Sequence, residues 1–160
     1  MDRIDRQLLE LLQRDGSLTN QALADAVALS ESACLRRVRR LQDSGLIRRT
    51  VALLDQTLAG YPDNVFVRIT LKSQGRDTLE AFETAARALP EVMECYLMSG
   101  DADYLLRVIV SDARDYERLH SRHLTQLPGV DRVHSSFALR TVVRRTELPT
   151  HRLDAHTQKL

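Results

Sequence analysis

The spacing of apolar residues changes period once along this chain, near residue 60. A chain that switches period must build two different kinds of structure. Before the switch the spacing is helical. Ile4, Leu8, Leu11 and Leu12 define a first helix that starts from Asp2 as N-cap and ends at Asp15-Gly16. A second helix begins after Thr19, carries Leu23 and Val27 on one side and stops near Leu29. The third runs from Ser30, its N-cap, to Ser44, where Gly45 terminates it. The stretch Leu46 to Leu54 is apolar and β-leaning, and is expected as a wing behind the third helix.

The segment Asp55 to Asp63 contains Gly60 and Pro62 and reads as a linker. Beyond it Val65, Val67, Ile69 and Leu71 alternate with Phe66, Arg68, Thr70 and Lys72, the period of a strand with one buried face. An amphipathic helix follows through Leu79, Phe82, Ala85, Ala86 and Leu89, closed by Pro90. A strand from Val92 to Met98, a turn at Ser99 to Asp103 and a strand from Tyr104 to Val110 come next. The last helix spans about Asp112 to Gln126, Pro128-Gly129 breaks it, and a final strand covers about Val133 to Val143. The order β-α-β-β-α-β describes a ferredoxin-like antiparallel sheet with helices on one face. The expected fold class is therefore α+β, with a winged helix-turn-helix at 1–54, a linker at 55–63, the ferredoxin-like sandwich at 64–149 and a polar tail at 150–160. The other sheet face carries Phe66 and further apolar side chains with nothing to cover it, which argues for burial in a second subunit.

Composition excludes several classes. No apolar run approaches the roughly 20 residues that cross a bilayer, and the start lacks the apolar stretch of a secretory signal, so a cytoplasmic location and no membrane partner are expected. The two cysteines, Cys34 and Cys95, lie far apart among apolar neighbours and are expected as buried, reduced thiols. There is no Cys-x-x-Cys pair, and the two histidines His120 and His123 read as exposed polar residues rather than ligands, so no metal is expected. A nucleophile with a base and an orienting group is nowhere evident, nor is a Gly-rich phosphate loop; neither enzyme activity nor a cofactor is expected.

The formal net charge of +1 gives no bulk attraction to nucleic acid, but four arginines fall within Arg36 to Arg40. At about 100° per residue, Cys34, Leu35, Val38 and Leu41 converge on one side of the third helix, while Ser32, Ala33, Arg36, Arg39 and Arg40 lie on the other, with Arg37 at the flank. Such a helix can pack on its first face and push guanidinium groups into a DNA major groove with its second. Arginine holds guanine bidentately and neutralises phosphate. Ser32 and Ala33, near the N-cap Ser30, are small enough for close approach to base edges. A solvated arginine face is common on helices of other functions. Three short helices, a brief turn and a wing carrying Arg48 and Arg49 shift the balance toward DNA. The alternative left open is an amino-acid-binding metabolic or assembly protein whose helices never touch DNA.

From about Ile4 to Pro149 the sequence resembles the Lrp/AsnC family, the leucine-responsive or feast/famine regulators. The marks are Leu29-Ser30-x-x-x-Cys34-Leu35-x-Arg37-Val38-Arg39-Arg40-Leu41, Gly45-Leu46-Ile47, Ala52-Leu53-Leu54-Asp55, Ser99-Gly100-Asp101-x-Asp103-Tyr104-Leu105-Leu106 and Leu127-Pro128-Gly129-Val130. Ser135-Ser136-Phe137-Ala138, followed by Thr146-x-Leu148-Pro149, looks like the cysteine-, leucine- and methionine-responsive branch. One departure is visible: family members often show Ser-Pro-Thr-Pro-Cys where this chain has Ser30-Glu31-Ser32-Ala33-Cys34. Without the prolines the helix start loses its preset φ, and Glu31 sits near the DNA backbone, so an operator sequence does not carry over. The resemblance implies a homodimer joined through its sheets, further assembly into tetramers or octamers, double-stranded DNA as partner, and an effector bound between subunits near the Gly-Asp-x-Asp-Tyr loop.

That loop has parts suited to a free amino acid. Gly100 permits unusual backbone conformations, freeing N–H groups for a carboxylate beside Ser99, and Asp101 or Asp103 can accept an α-ammonium. Tyr104 can wall the site or donate its hydroxyl, and Ser135, Ser136 and Phe137 of a neighbouring subunit can complete it. Plain turn chemistry, a cation held by the Asp-x-Asp pair, or assembly without any amino acid are the competing readings.

Overall fold

The computed structural model describes residues 1–153 and divides them into two compact units. The first comprises 1–53 together with the segment from 142 onward, and the second comprises 54–141.

The first unit is built on three helices: α1 (Arg3–Arg14), α2 (Asn20–Ala26) and α3 (Glu31–Asp43). Each starts from the N-cap that its sequence offers. Asp2 and Asp5 form a reciprocal capping box, Thr19 accepts from the Ala22 N–H, and Ser30 accepts from the Ala33 N–H. Leu8, Leu23, Ala24, Val27 and Cys34 make the core, with Ile4, Leu11, Leu12, Leu18, Leu29 and Val38 packed against it. Leu35, expected on the packed side of α3, lies at its margin and is 37% exposed. The second helix stops at Ala26, earlier than its apolar spacing suggests. The chain turns at Ala28, which adopts φ +54°, and Leu29 donates its N–H back to Ala24. Gly45 closes α3 at φ +77°, a left-handed conformation that glycine adopts without the penalty of a Cβ.

The expected wing is not a strand within this chain. Residues 46–54 run without a ladder partner, because the described residues of the first unit contain no other strand for them to pair with. The segment at 142–149 also departs from expectation: it groups with the helices and not with the sandwich. Its end is tied to α1. The carboxamide of Gln13 accepts the Leu148 N–H at 2.6 Å and donates to the Leu148 carbonyl at 3.2 Å, and Thr150, which is buried, donates to Glu10 at 2.5 Å. A short 3-10 turn at Thr150–Arg152 thus stands where a loose polar tail was expected; the rest of that tail, 154–160, lies outside the described residues.

The second unit is a four-stranded antiparallel sheet in the order β2-β3-β1-β4, from β1 (Asp63–Leu71), β2 (Val92–Leu97), β3 (Tyr104–Val110) and β4 (Val130–Phe137). Helices α4 (Arg76–Arg87) and α5 (Ala113–Arg122) cross between strands, giving the ferredoxin-like βαββαβ order. The alternation read from sequence holds on β1: Val65, Val67 and Ile69 are fully buried and Leu71 nearly so, each such side chain contributing roughly 1.5–3 kcal/mol. They meet Phe82, Ala86, Leu106, Val108, Tyr116, Leu119 and Leu124 in one core. The last helix ends at Arg122 and continues only as a 3-10 turn at Leu124–Gln126. The final strand begins at Val130 and ends at Phe137, since the chain beyond Ala138 leaves the edge of β1.

The opposite sheet face carries Phe66, 40% exposed, and Tyr96, 51% exposed, with Leu105 and Ile109 half-buried between them. Both cysteines are free. Cys34 is buried and its thiol is pushed above its ordinary pKa by that burial, with Glu31 adding to the effect. Cys95, expected to be buried, is exposed because β2 is an edge strand. No helix of the described residues is long and apolar enough to cross a membrane.

Candidate functional site

Two groups of side chains were singled out by the sequence: the arginine face of α3 and the loop before β3. The structure sorts the arginines into two classes. Arg36 and Arg39 are exposed and have no hydrogen-bond or ion-pair partner among the described residues. Arg37 is turned inward. Its Nη1 donates to Asp2 Oδ2 at 2.6 Å and to Asp5 Oδ1 at 2.9 Å, and only 26% of its side chain is exposed. Those carboxylates stabilise its charged form, the hydrogen bond to Asp2 most of all. Arg40 is intermediate: Nη2 donates to Asp5 Oδ2 at 2.7 Å, yet the side chain is 62% exposed. The flank position read for Arg37 is thus an internal ion-pair position.

The head of α3 is held by contacts that the sequence did not reveal. Asn20, at the start of α2, donates its side-chain amide to the Glu31 carbonyl at 2.9 Å. The Ser30 and Ser32 hydroxyls lie 3.4 Å apart, Ser32 is exposed and Ala33 is half-buried. Ser32, Arg36 and Arg39 therefore stand on one side of the helix in successive turns, at the spacing that puts residues on a common face. Glu31 occupies the first turn, where a carboxylate is favoured by the helix dipole, and this compensates in part for the missing prolines. Arg48 and Arg49 are exposed in the extended segment after α3. They share a groove of about 840 Å³ with Leu9, Leu12, Leu53 and Leu148, inside the same unit.

The loop before β3 is also divided. Ser99, Gly100 and Asp101 are exposed, and Gly100 takes φ +133° with open space where a Cβ would stand. The N–H groups of Ser99, Gly100, Asp101 and Ala102 donate to nothing among the described residues, and the Asp101 carboxylate accepts nothing. Asp103 differs. It is 7% exposed, accepts from the Leu71 N–H at 2.7 Å and from the Gln74 amide at 2.6 Å, and ties the loop to the end of β1. Tyr104 is 1% exposed, lies against Phe82 with ring centroids 4.4 Å apart, and donates its hydroxyl to Glu83 at 2.8 Å. Burial above all, then Glu83, raises its phenol well above the ordinary value. Asp103 and Tyr104 thus face inward and support the loop from behind.

Ser135, Ser136 and Phe137 sit elsewhere in the same chain. Tyr104 pairs with Ile69 of β1 whereas Phe137 pairs with Val65, four residues away, so loop and strand end are separated by about 13 Å along the sheet. Ser135 and Phe137 lie on the helix side, the Ser135 hydroxyl bonding to the Tyr116 hydroxyl and the Phe137 ring meeting Tyr116 edge-on at 5.2 Å. Ser136 pairs with Phe66 and lies on the open face. One chain alone does not bring the two halves of the expected effector site together. Among the described residues no group of three His, Cys, Asp or Glu side chains is placed to hold a metal.

Comparison with known proteins matches both units. Residues 64–148 match the Lrp/AsnC ligand-binding domain and residues 1–48 match a winged helix-turn-helix DNA-binding domain. The DNA-binding transcriptional activator DecR of Escherichia coli is 40% identical over 149 residues, 93% of this chain and 98% of that protein. The leucine-responsive regulatory protein of Escherichia coli is 45% identical over 131 residues, 82% and 80% of the two chains. Among solved structures, a transcriptional regulator of Neisseria meningitidis in complex with L-methionine superposes with a TM-score of 0.91 at 35% identity, covering 96% of this chain and 99% of its own. An amino-acid-binding protein without DNA contact is set aside by the match at 1–48 and by relatives that are transcriptional regulators rather than enzymes. The chain belongs to the Lrp/AsnC family and is a DNA-binding transcriptional regulator with a ligand-binding domain.

Proposed function

We propose that Arg36 and Arg39, with the exposed Arg40, carry the contacts of α3 to double-stranded DNA. The observation that supports this most directly is that Arg36 and Arg39 have no partner among the described residues, while their neighbour Arg37 is held by Asp2 and Asp5. Ser30, Ser32 and Ala33 bring the head of the helix to base edges, and Arg48 and Arg49 hold the phosphate backbone.

The effector in this reading is a free amino acid. Its carboxylate meets the open N–H groups around Gly100, and its α-ammonium meets Asp101. Ser135, Ser136 and Phe137 of a neighbouring subunit complete the site, which makes effector binding depend on assembly. The Phe66–Tyr96 sheet face supports a homodimer, with tetramers or octamers as further steps. L-Methionine in the Neisseria structure supports this class of ligand. Acting on DNA in a bacterial cell, the protein works in the cytoplasm. Calorimetric titration with the twenty amino acids, methionine and leucine first, tests the reading. Heat from at least one, lost in Asp101→Ala, is expected; no heat from any of them in the assembled protein rejects the amino-acid effector.

A further inference from the structure

Two of the four arginines of α3 are held by one carboxylate of α1. Asp5 is only 2% exposed, and a carboxylate that deep is costly unless its charge is compensated and its lone pairs are used. Both conditions are met by α3: Oδ1 receives Arg37 at 2.9 Å and Oδ2 receives Arg40 at 2.7 Å. Asp2 adds a second acceptor for Arg37 at 2.6 Å, and the capping box fixes Asp2 to Asp5. Two acids and two arginines make a neutral cluster, so α1 removes about half the positive charge that the sequence of α3 displays.

We infer that Asp5 is a positioning residue for DNA recognition, withholding Arg37 and restraining Arg40 so that Arg36 and Arg39 dominate contact with the duplex. This rests on the reading of α3 as the DNA-facing helix. The physical consequence concerns specificity. Every arginine able to swing onto phosphate strengthens binding to any sequence and steepens its salt dependence, by about 0.9 in log–log slope for each phosphate neutralised. An arginine clamped by Asp5 contributes little to that term. The clamp therefore lowers non-specific affinity while holding the helix that reads bases.

Asp5→Asn tests this, because it keeps the size of the side chain and removes the one charge that both guanidinium groups share, freeing Arg40 and leaving Arg37 with Asp2 alone. Binding is followed by fluorescence anisotropy on a random-sequence duplex and on a duplex selected by the wild-type protein, across a range of salt. On the random duplex Asp5→Asn is expected to bind several-fold tighter with a slope steeper by about 1, and the ratio of selected to random affinity is expected to fall. A purely structural Asp5 would lower both affinities together through the folded fraction and leave the slope unchanged; that result overturns the proposal. Arg37→Met supplies a second test should Asp5→Asn fold poorly. Its slope on the random duplex is expected to equal that of wild type, and a slope shallower by about 1 would show Arg37 on phosphate and reject the clamp. Arg36→Ala separates the two levels. If it weakens binding while Asp5→Asn leaves the slope unaltered, only the clamp is wrong; if it too is silent, the assignment of α3 fails.

Discussion

Asp103 Oδ2 accepts the backbone N–H of Leu71 at 2.7 Å, at the point where the pairing of β1 with β4 slips between Thr70 and Leu71. The ladder between β1 and β3 ends at Ile69, which leaves the Leu71 N–H beyond it, and here a buried carboxylate takes it. The same residue donates its own N–H to the Ile69 carbonyl and offers its carbonyl to the Met98 N–H, so the loop before β3 is anchored to two strands. Removing the side chain leaves a buried donor unpaired, at a cost of about 1–3 kcal/mol. Asp103→Ala is expected to lower the melting temperature by several degrees, whereas Asp101→Ala, on the exposed side, is expected to leave it unchanged and to remove effector binding. Thermal unfolding of the two variants side by side checks this; an unchanged melting temperature for Asp103→Ala would contradict the anchoring role.

Tyr104 is buried in the core of the second unit. Tyr104→Phe keeps the ring against Phe82 and loses the hydrogen bond to Glu83, at about 0.5–1.5 kcal/mol. The phenol pKa is raised on folding from an ordinary 10.0, so the neutral hydroxyl stabilises the native state below that pH, and this contribution is lost as pH rises above it. Stability measured from pH 8 to pH 11 by denaturant titration is expected to fall with pH in wild type and to fall less in Tyr104→Phe. Parallel curves would mean that the hydroxyl is not held by the fold.

Ala28 carries φ +54° in the turn between α2 and α3, and its side chain is exposed. A left-handed conformation costs an L-residue roughly 1–2 kcal/mol, from which a glycine is free, while the extra freedom of glycine in the unfolded chain returns about 0.5–1 kcal/mol. Ala28→Gly is therefore expected to raise stability by up to about 1 kcal/mol with DNA affinity unchanged. Differential scanning calorimetry reads the outcome, and a lower melting temperature would show that the Ala28 methyl packs more than its exposure implies.

Local chemistry made most of the fold legible. Asp2 and Ser30 cap the helices they were expected to cap, and the alternation at Val65–Leu71 is the buried face of β1. What the sequence concealed depends on distant partners. A helical wheel places Arg37 at the flank, but only the packing of α1 against α3 brings it to Asp2 and Asp5, more than thirty positions earlier. The Asp-Tyr pair at 103 and 104 looks like ligand chemistry in a motif, and only the fold brings Asp103 to the Leu71 N–H and Tyr104 to Glu83. Residues 46–54 have the composition of a strand, yet composition does not supply a neighbouring strand. The early end of α2 followed from the positive φ at Ala28, a position where the sequence offers no glycine to announce it.

The central claim is that Arg36 and Arg39 of α3, which have no partner among the described residues, hold DNA, and the salt dependence of binding measures it most directly. Arg36→Ala/Arg39→Ala, titrated by anisotropy against a duplex selected by the wild-type protein, is expected to fold as wild type does. Its log–log salt slope is expected to be shallower by about 2, with affinity reduced at least tenfold at low salt. An affinity and a slope equal to those of wild type would contradict the account.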